Sequence, residues 1–428
     1  MRFKTEELTV TGVILAGGKG SRSIDPEKPK CLEFIGEKPL LEWHFDYLKK
    51  AGVDEIVLST GFASEQISSW LHSNQSKITF PFRVIQDFEQ IGTLNAISLI
   101  SHKLTTQVSV IIPGDIFCNS SLQNFASKFD TSKFDVCAIT HPNLHPESSD
   151  VIDHTNGVSF ISKKTKRVMP HPNNALSGVV FAKNAILRDL DVGSGDYENT
   201  LIPDAASLNK FTYLTTTDYI SDTGTKDRIE RVRFDYKSGA IIRRNLSSPH
   251  IVLLDLDDTV LRDTGSQRFD TPEFFEDVPD FLKCLNRAGI HIHIITNQPS
   301  LAKGEIDFER FFQFKNKLEM LAAENGFFWE GFHYCPHHPD SGYLGEVVTL
   351  KMPCNCRKPL TGLLDQVLSC YEESPRFLGM IGDNLRDSEF SNNAKVEFFH
   401  ILRNSKVCVI PKKHNCVSNL ATINELIM

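Results

Sequence analysis

The stretch IVLLDLDDT, Ile251 to Thr259, ends in two carboxylates one residue apart, Asp255 and Asp257. Acids at the exit of an apolar strand sit where α/β folds hold their ligands. Paired carboxylates at such an exit are residue types suited to nucleophilic and general acid/base work. An acidic turn after a strand is common, so the pair alone does not define a site. Three later segments add to it. The run HIHIIT leads into Thr296, Asn297 and Gln298, a hydroxyl and two amides at a second strand exit. Lys358 follows in PCNCRKP, and MIGDNLRD sets Asp383 and Asp387 after a third apolar run.

PCNCRKP also carries Cys354 and Cys356 one residue apart, and CPHH begins at Cys335, so Cys335 and His337 form Cys-x-His. Three readings are open: a redox site, a metal site, or incidental reduced thiols. Redox pairs use Cys-x-x-Cys, which is absent here. Three thiolates and an imidazole make a closed tetrahedral set suited to structural Zn²⁺, with His338 as an alternative imidazole. A rigid loop there would place Lys358 and Arg357 just past the last ligand.

A third feature lies near the N-terminus. LAGGKGSR, Leu15 to Arg22, follows an apolar strand and holds Gly17, Gly18, Gly20 and Ser21. Glycines in such a loop let backbone N–H groups approach a phosphate. It is neither a Walker A loop nor a dinucleotide fingerprint. A plain turn would explain the glycines alone, but Arg22 and Lys30 bring two cations to the same stretch.

The elements that must position these groups are legible from periodicity. VILA, EIVLS and VSVII read as buried strands, and Leu41, Phe45 and Leu48 recur at helical spacing before a stop at Gly52. Strands alternating with helices imply a mostly parallel α/β sheet. The chain turns polar at about 245–249 and restarts with the strand before Asp255, which predicts domains over 1–245 and 250–428. With 428 residues there is length for two full cores. Hydrophobic content of 40%, charged content of 23% and a net charge of −8 suit a soluble globular protein and argue against nucleic-acid or anionic-membrane binding. No apolar leader or membrane-length run is visible, so a cytoplasmic protein is expected.

The first half resembles the sugar-phosphate nucleotidyltransferases. Gly17, Gly18, Gly20, Ser21, Arg22, Pro29 and Lys30 match their opening pattern. IGTLNA, with Gly92 and Thr93, resembles the segment that shapes the base pocket; Leu94 and Asn95 replace its small pair, so an altered pocket is expected. PGD places Asp115, and SDTGTKDR places Asp222, where the family keeps Mg²⁺ ligands. SGVVF, with Gly178, stands at the sugar pocket, although the family's Glu-Lys pair before it is missing. The resemblance implies a Rossmann-like, GT-A-like mixed sheet. In it, Arg22 and Lys30 would stabilise the phosphates of an NTP attacked by a sugar 1-phosphate.

The second half resembles the haloacid dehalogenase superfamily, and TNQPSLAKGE, CPHHPD and CNCRKP resemble its heptose 1,7-bisphosphate 7-phosphatase branch with histidinol-phosphatase relatives. Leu256, Asp258 and Lys303 depart from that branch. The resemblance implies a Rossmann-like fold with a zinc-bound loop and an aspartyl-phosphate on Asp255. Asp257 is then the general acid/base, Thr296 and Lys358 are phosphate contacts, and Asn297 and Arg357 face the substrate. Asp383 and Asp387 are the expected Mg²⁺-binding acids, and Mg²⁺ would lie on Asp255, the Asp257 carbonyl and Asp383. Zn²⁺ would lie on Cys335, His337, Cys354 and Cys356. Fusions of this kind are associated with nucleotide-activated heptose synthesis, GDP-heptose foremost. The expected partners are therefore sugar phosphates and an NTP, with no nucleic acid and no membrane. The alternative is an active phosphatase carrying a degenerate, sugar-nucleotide-binding or scaffolding first half.

Overall fold

A computed structural model of the chain describes all residues except 20–24, 26, 90, 156–157, 163–169, 192, 247, 372, 404–414 and 428. The chain divides into two compact units, the first drawn from residues 1–238 and the second from 239–428 together with Pro142–Ser148 and Arg167–Asn173. Among the described residues, no helix is long and apolar enough to cross a membrane.

In the first unit the strand Val10–Ala16 is buried at every position. Its side chains alternate between two cores, as a strand's two-residue period requires. Val10, Ile14 and Ala16 join one apolar cluster; Val13 and Leu15 join the other. The strand begins three residues before the apolar VILA core because polar Thr11 is satisfied in place, its Oγ1 lying 2.7 Å from Thr106 Oγ1. Glu55–Thr60 and Val108–Pro113 flank it in parallel, and Phe82–Gln86 pairs in parallel beyond Glu55–Thr60. Ala175–Lys183 then runs antiparallel to Val108–Pro113, which makes the nine-stranded sheet mixed. The helix Leu40–Ala51 buries Leu41, Phe45 and Leu48 and ends at Gly52 with φ of 74°. A left-handed residue at that position is where glycine carries no Cβ penalty.

The second unit holds a six-stranded, wholly parallel sheet in the order Gly331–Cys335, His291–Asn297, His250–Leu254, Arg376–Gly382, Phe398–Ile401, Asn415–Val417. Val252 and Leu254 face one core, and Ile251 and Leu253 the other. Both faces of His250–Leu254 are covered, which is why it reads as an unbroken apolar run after His250. Strand order reverses on either side of His250–Leu254, and the crevice at such a reversal is where open α/β sheets bind ligands.

Two buried histidines share this sheet. His291 Nε2 lies 2.9 Å from the Arg244 carbonyl and its Nδ1 2.8 Å from the Tyr371 hydroxyl. His293 Nε2 lies 2.6 Å from the same hydroxyl, and its Nδ1 lies 3.0 Å from His333 Nε2. Burial, with the Arg244 cation adding, pushes His291 down to about 3; burial beside His333 holds His293 well below 6.5. The unfolded chain takes up these protons near 6.5 while the folded chain does not. Stability present above that pH is therefore lost as pH falls below it. We expect the melting temperature to drop between about pH 7 and about pH 5, with a shallower drop in His291→Asn, measured by calorimetry across that range.

Candidate active sites and metal centres

Four strand exits of the second sheet converge. Asp255 follows Leu254, Thr296 and Asn297 end the neighbouring strand, Cys335 ends the next, and Asp383 follows Gly382. Lys358 is 3% exposed, and its Nζ donates to Asp255 Oδ1 at 2.6 Å and to Asp387 Oδ1 at 2.7 Å. Asp387 gets there because Gly382 has no side chain: a Cβ at 382 would lie 2.5 Å from Asp387. Asp387 is also the third residue of the helix Leu385–Ala394, in a capping box with Asn384. Burial opposes the charge on Lys358, but Asp255 and Asp387 outweigh it and raise its pKa. Burial raises Asp387 to about 7 and Asp383 to about 6, with Asp255 adding to both.

Asp255, Asp383 and Asp387 each place a carboxylate oxygen within 4.8 Å of the others. Two buried carboxylates and the half-buried Asp383 against one lysine leave an excess of negative charge, an electrostatic setting that fits a hard divalent cation. Asp257 is held apart from this group. Gln298 Nε2 donates to its Oδ2 at 2.9 Å, and burial raises its pKa to about 7 against the pull of Arg268. Asp258, which replaces the branch's glycine, has φ of 53°. Aspartate is one of the few side chains that visits this left-handed region.

Asn297, expected at the substrate, engages the backbone of Lys358 instead. Its Nδ2 donates to the Lys358 carbonyl at 3.1 Å and its Oδ1 accepts from the Lys358 N–H at 2.9 Å. Arg357 Nη1 donates to the His337 carbonyl at 3.1 Å. The cysteine loop and the lysine are therefore one mechanical assembly. Cys335 Sγ lies 3.6 Å from Cys354 Sγ and 3.2 Å from Cys356 Sγ, and those two lie 3.4 Å apart. These separations are far from the ~2.05 Å of a disulfide. They approach the ~3.8 Å between sulfurs on a tetrahedral Zn²⁺ with bonds of about 2.3 Å. His337 Nδ1 completes the set at 3.7 Å from Cys335 and 3.3 Å from Cys356. His338 stands outside it, its Nδ1 accepting from the Asp340 N–H at 3.2 Å.

In the first unit Asp115 follows the strand Val108–Pro113, and Asp222 ends the strand Ile220–Asp222. Antiparallel pairing of Asp222 with Ile116 brings the two acids together. Thr223 fixes the turn, its N–H and hydroxyl donating to the Asp115 carbonyl at 2.8 and 2.7 Å. Lys30 Nζ donates to Asp115 Oδ2 at 2.8 Å, and Arg228 pairs with Asp222. A Cβ on Gly224 would lie 2.8 Å from Asp222, 3.0 Å from Lys30 Nζ and 3.1 Å from Asp115, so the three charges surround that glycine.

Gly17 and Gly18 follow the strand Val10–Ala16, the former with its backbone beside Gly61; Gly20, Ser21 and Arg22 lie outside the described residues. Gly92 has φ of 135°, and a Cβ there would strike Gly195 at 2.3 Å. Thr93 opens the helix Thr93–Ser101, its Oγ1 accepting from the Tyr197 N–H at 3.0 Å. Leu94 joins the core and Asn95 Nδ2 donates to Asp87 Oδ1 at 3.0 Å, so this departure from the family faces inward. Gly178 has φ of 83° and packs so closely that a Cβ would lie 2.8 Å from Pro113. Its carbonyl accepts from the Tyr197 hydroxyl at 3.2 Å. Glu198 beside it was not legible in the sequence; burial, then Asp196 and Asp150, raise it to about 7. Gln298 was visible in the sequence beside Thr296 and Asn297, but its bond to Asp257 was not.

Residues 12–193 match the family described as MobA-like NTP transferase domain, and residues 250–400 match the family described as polynucleotide kinase 3 phosphatase. The D-glycero-beta-D-manno-heptose-1,7-bisphosphate 7-phosphatase of Haemophilus influenzae is 31% identical over 156 residues, 36% of this chain and 82% of its own. The Yersinia pestis protein of the same name is 30% identical over 156 residues, 36% of this chain and 81% of its own. The crystal structure of HddC from Yersinia pseudotuberculosis, 23% identical, covers 52% of this chain and 97% of its own with a TM-score of 0.45. Joined to a MobA-like NTP transferase domain, the second half of this chain belongs to the D-glycero-beta-D-manno-heptose-1,7-bisphosphate 7-phosphatase family.

Proposed function

We propose that the second half removes the 7-phosphate of a heptose 1,7-bisphosphate and that the first half then transfers a nucleotidyl group, GMP foremost, from an NTP to the remaining sugar 1-phosphate. The observation that carries this is the buried Asp255–Lys358–Asp387 cluster with Asp257 beside it, in a domain of that family. Asp255 attacks phosphorus as the ester bond breaks, and Asp257 gives its proton to the leaving oxygen. Asp257 then takes a proton from the water that releases phosphate from Asp255. Lys358 and Thr296 hold the phosphate oxygens. Asp255, Asp383 and the Asp257 carbonyl would hold Mg²⁺, which when bound supplies charge neutralisation between the nucleophile and the phosphate.

In the first half Asp115 and Asp222 would hold a second Mg²⁺, and Lys30 with Arg22 would steady the triphosphate. A purely scaffolding first half gives no reason for Lys30, Asp115 and Asp222 to converge. Chemical consecutiveness explains the fusion, since one half makes the substrate of the other; both would act in the cytoplasm. The test is to supply the bisphosphate with each NTP in turn and to follow phosphate, pyrophosphate and product mass. Failure to release pyrophosphate with any NTP would overturn the transferase assignment.

Cys335, His337, Cys354 and Cys356 would hold Zn²⁺ in a structural role. Stripping metal from this site is expected to lower phosphatase turnover at least about tenfold by loosening the loop that carries Lys358, while nucleotidyl transfer persists after Mg²⁺ is restored. Metal analysis beside both assays checks it, and full phosphatase activity in verified zinc-free protein would contradict it.

A further inference from the structure

The Asp257 carboxyl has a neighbour that none of the recognised motifs contains. Arg268 lies in the short turn Gly265–Phe269 and is 9% exposed. Its Nε stands 3.0 Å from Asp257 Oδ1. Its Nη1 donates to Asp263 Oδ1 at 2.9 Å and to the Gly265 carbonyl at 2.8 Å, and its guanidinium carbon lies 4.5 Å from the centre of the Phe269 ring. The guanidinium is thus fixed from three sides before it reaches Asp257.

The two oxygens of Asp257 have different surroundings. Oδ2 accepts a hydrogen bond from Gln298 Nε2, which also donates to Thr296 Oγ1 at 3.0 Å. Oδ1 is buried and, among the described residues, accepts no aligned hydrogen bond; the Arg268 contact is close but off-axis, and Arg268 Nε has no aligned partner among them either. The Asp257 carboxyl therefore has a fixed cation beside it. A cation already in place stabilises the charge that appears on a carboxyl as its proton departs, with no reorganisation at that moment.

We propose that Arg268 is a positioning residue for ester cleavage, holding Asp257 toward the leaving oxygen and meeting the charge left on it after proton transfer. This rests on the phosphatase reading. In the step concerned, an Asp255 oxygen bonds to phosphorus and the ester P–O bond breaks. The bonding pair stays on the leaving oxygen, which takes the proton from Asp257, and Asp257 becomes a carboxylate.

The role separates from a structural one by leaving group. A sugar alkoxide must be protonated as it leaves, whereas p-nitrophenolate leaves without help. Steady-state kinetics on the full-length protein, with a sugar bisphosphate and with p-nitrophenyl phosphate, would compare Arg268→Met and Arg268→Lys. Arg268→Met is expected to lower kcat on the sugar ester roughly 10- to 100-fold with little change in KM, and to lower it at least about tenfold less on the aryl ester. Arg268→Lys should recover part of the loss. Asp263→Asn, which removes one anchor of the guanidinium, should give a smaller loss with the same selectivity and keeps the test open if Arg268→Met does not fold. Equal losses on both esters, or a loss confined to KM, would overturn the inference alone. A wild-type protein that hydrolyses neither ester would overturn the phosphatase reading and the inference with it.

Discussion

Asp255→Asn is expected to abolish phosphate release from a sugar bisphosphate, by about four orders of magnitude or more, and to leave nucleotidyl transfer to a sugar 1-phosphate at its wild-type rate. Asparagine keeps the size of the side chain but removes the attacking oxygen anion. Lys358 keeps its 2.7 Å partner in Asp387, so the lysine is not left as an unpaired buried charge. Burial and the Asp255 charge together raise Asp387 and Asp383, so taking one charge away relieves the crowding. The variant should therefore melt no lower than the parent. A dead phosphatase with unchanged or raised melting temperature separates loss of chemistry from loss of fold.

The second large effect concerns the other half. Asp115→Asn is expected to lower nucleotidyl transfer roughly 10²- to 10³-fold while phosphate release continues. Asp115 is joined to Lys30 at 2.8 Å and its carbonyl is fixed by Thr223, so its carboxylate stands in one place beside Asp222. Asparagine preserves that backbone arrangement but removes the negative charge that both Lys30 and a metal would need. Pyrophosphate release at saturating NTP measures it. A fall of less than about threefold would mean that Asp115 takes no part in neutralising the triphosphate.

What could be read in advance was what repeats at short range. Strand alternation and the acids at strand exits are local patterns, and they located Asp255, Asp257, Asp383 and the sheet that carries them. The cysteine set was legible because ligand type and spacing identify it with no knowledge of the fold. Partners set by packing were not. Lys358 was visible as a residue, but its grip by Asn297 depends on two strand exits and a loop meeting in space. Arg268 follows no spacing rule, since a turn carries it back over Asp257. Asn95 was read as a change in the base pocket, yet its helix turns it toward Asp87, a direction the sequence does not encode locally. His291 and His293 look in sequence like one face of a strand; only the fold shows that Tyr371 joins them.

We propose that one chain performs two consecutive reactions on one sugar. Incubating Asp255→Asn and wild-type protein with the heptose 1,7-bisphosphate, NTP and Mg²⁺, and weighing the products by mass spectrometry, tests it most directly. Wild type should release one phosphate and one pyrophosphate per nucleoside-diphosphate sugar formed. Asp255→Asn should form none from the bisphosphate and the full amount from the sugar 1-phosphate. A nucleotide sugar that still carries the second phosphate, or product from the bisphosphate in Asp255→Asn, would contradict the account.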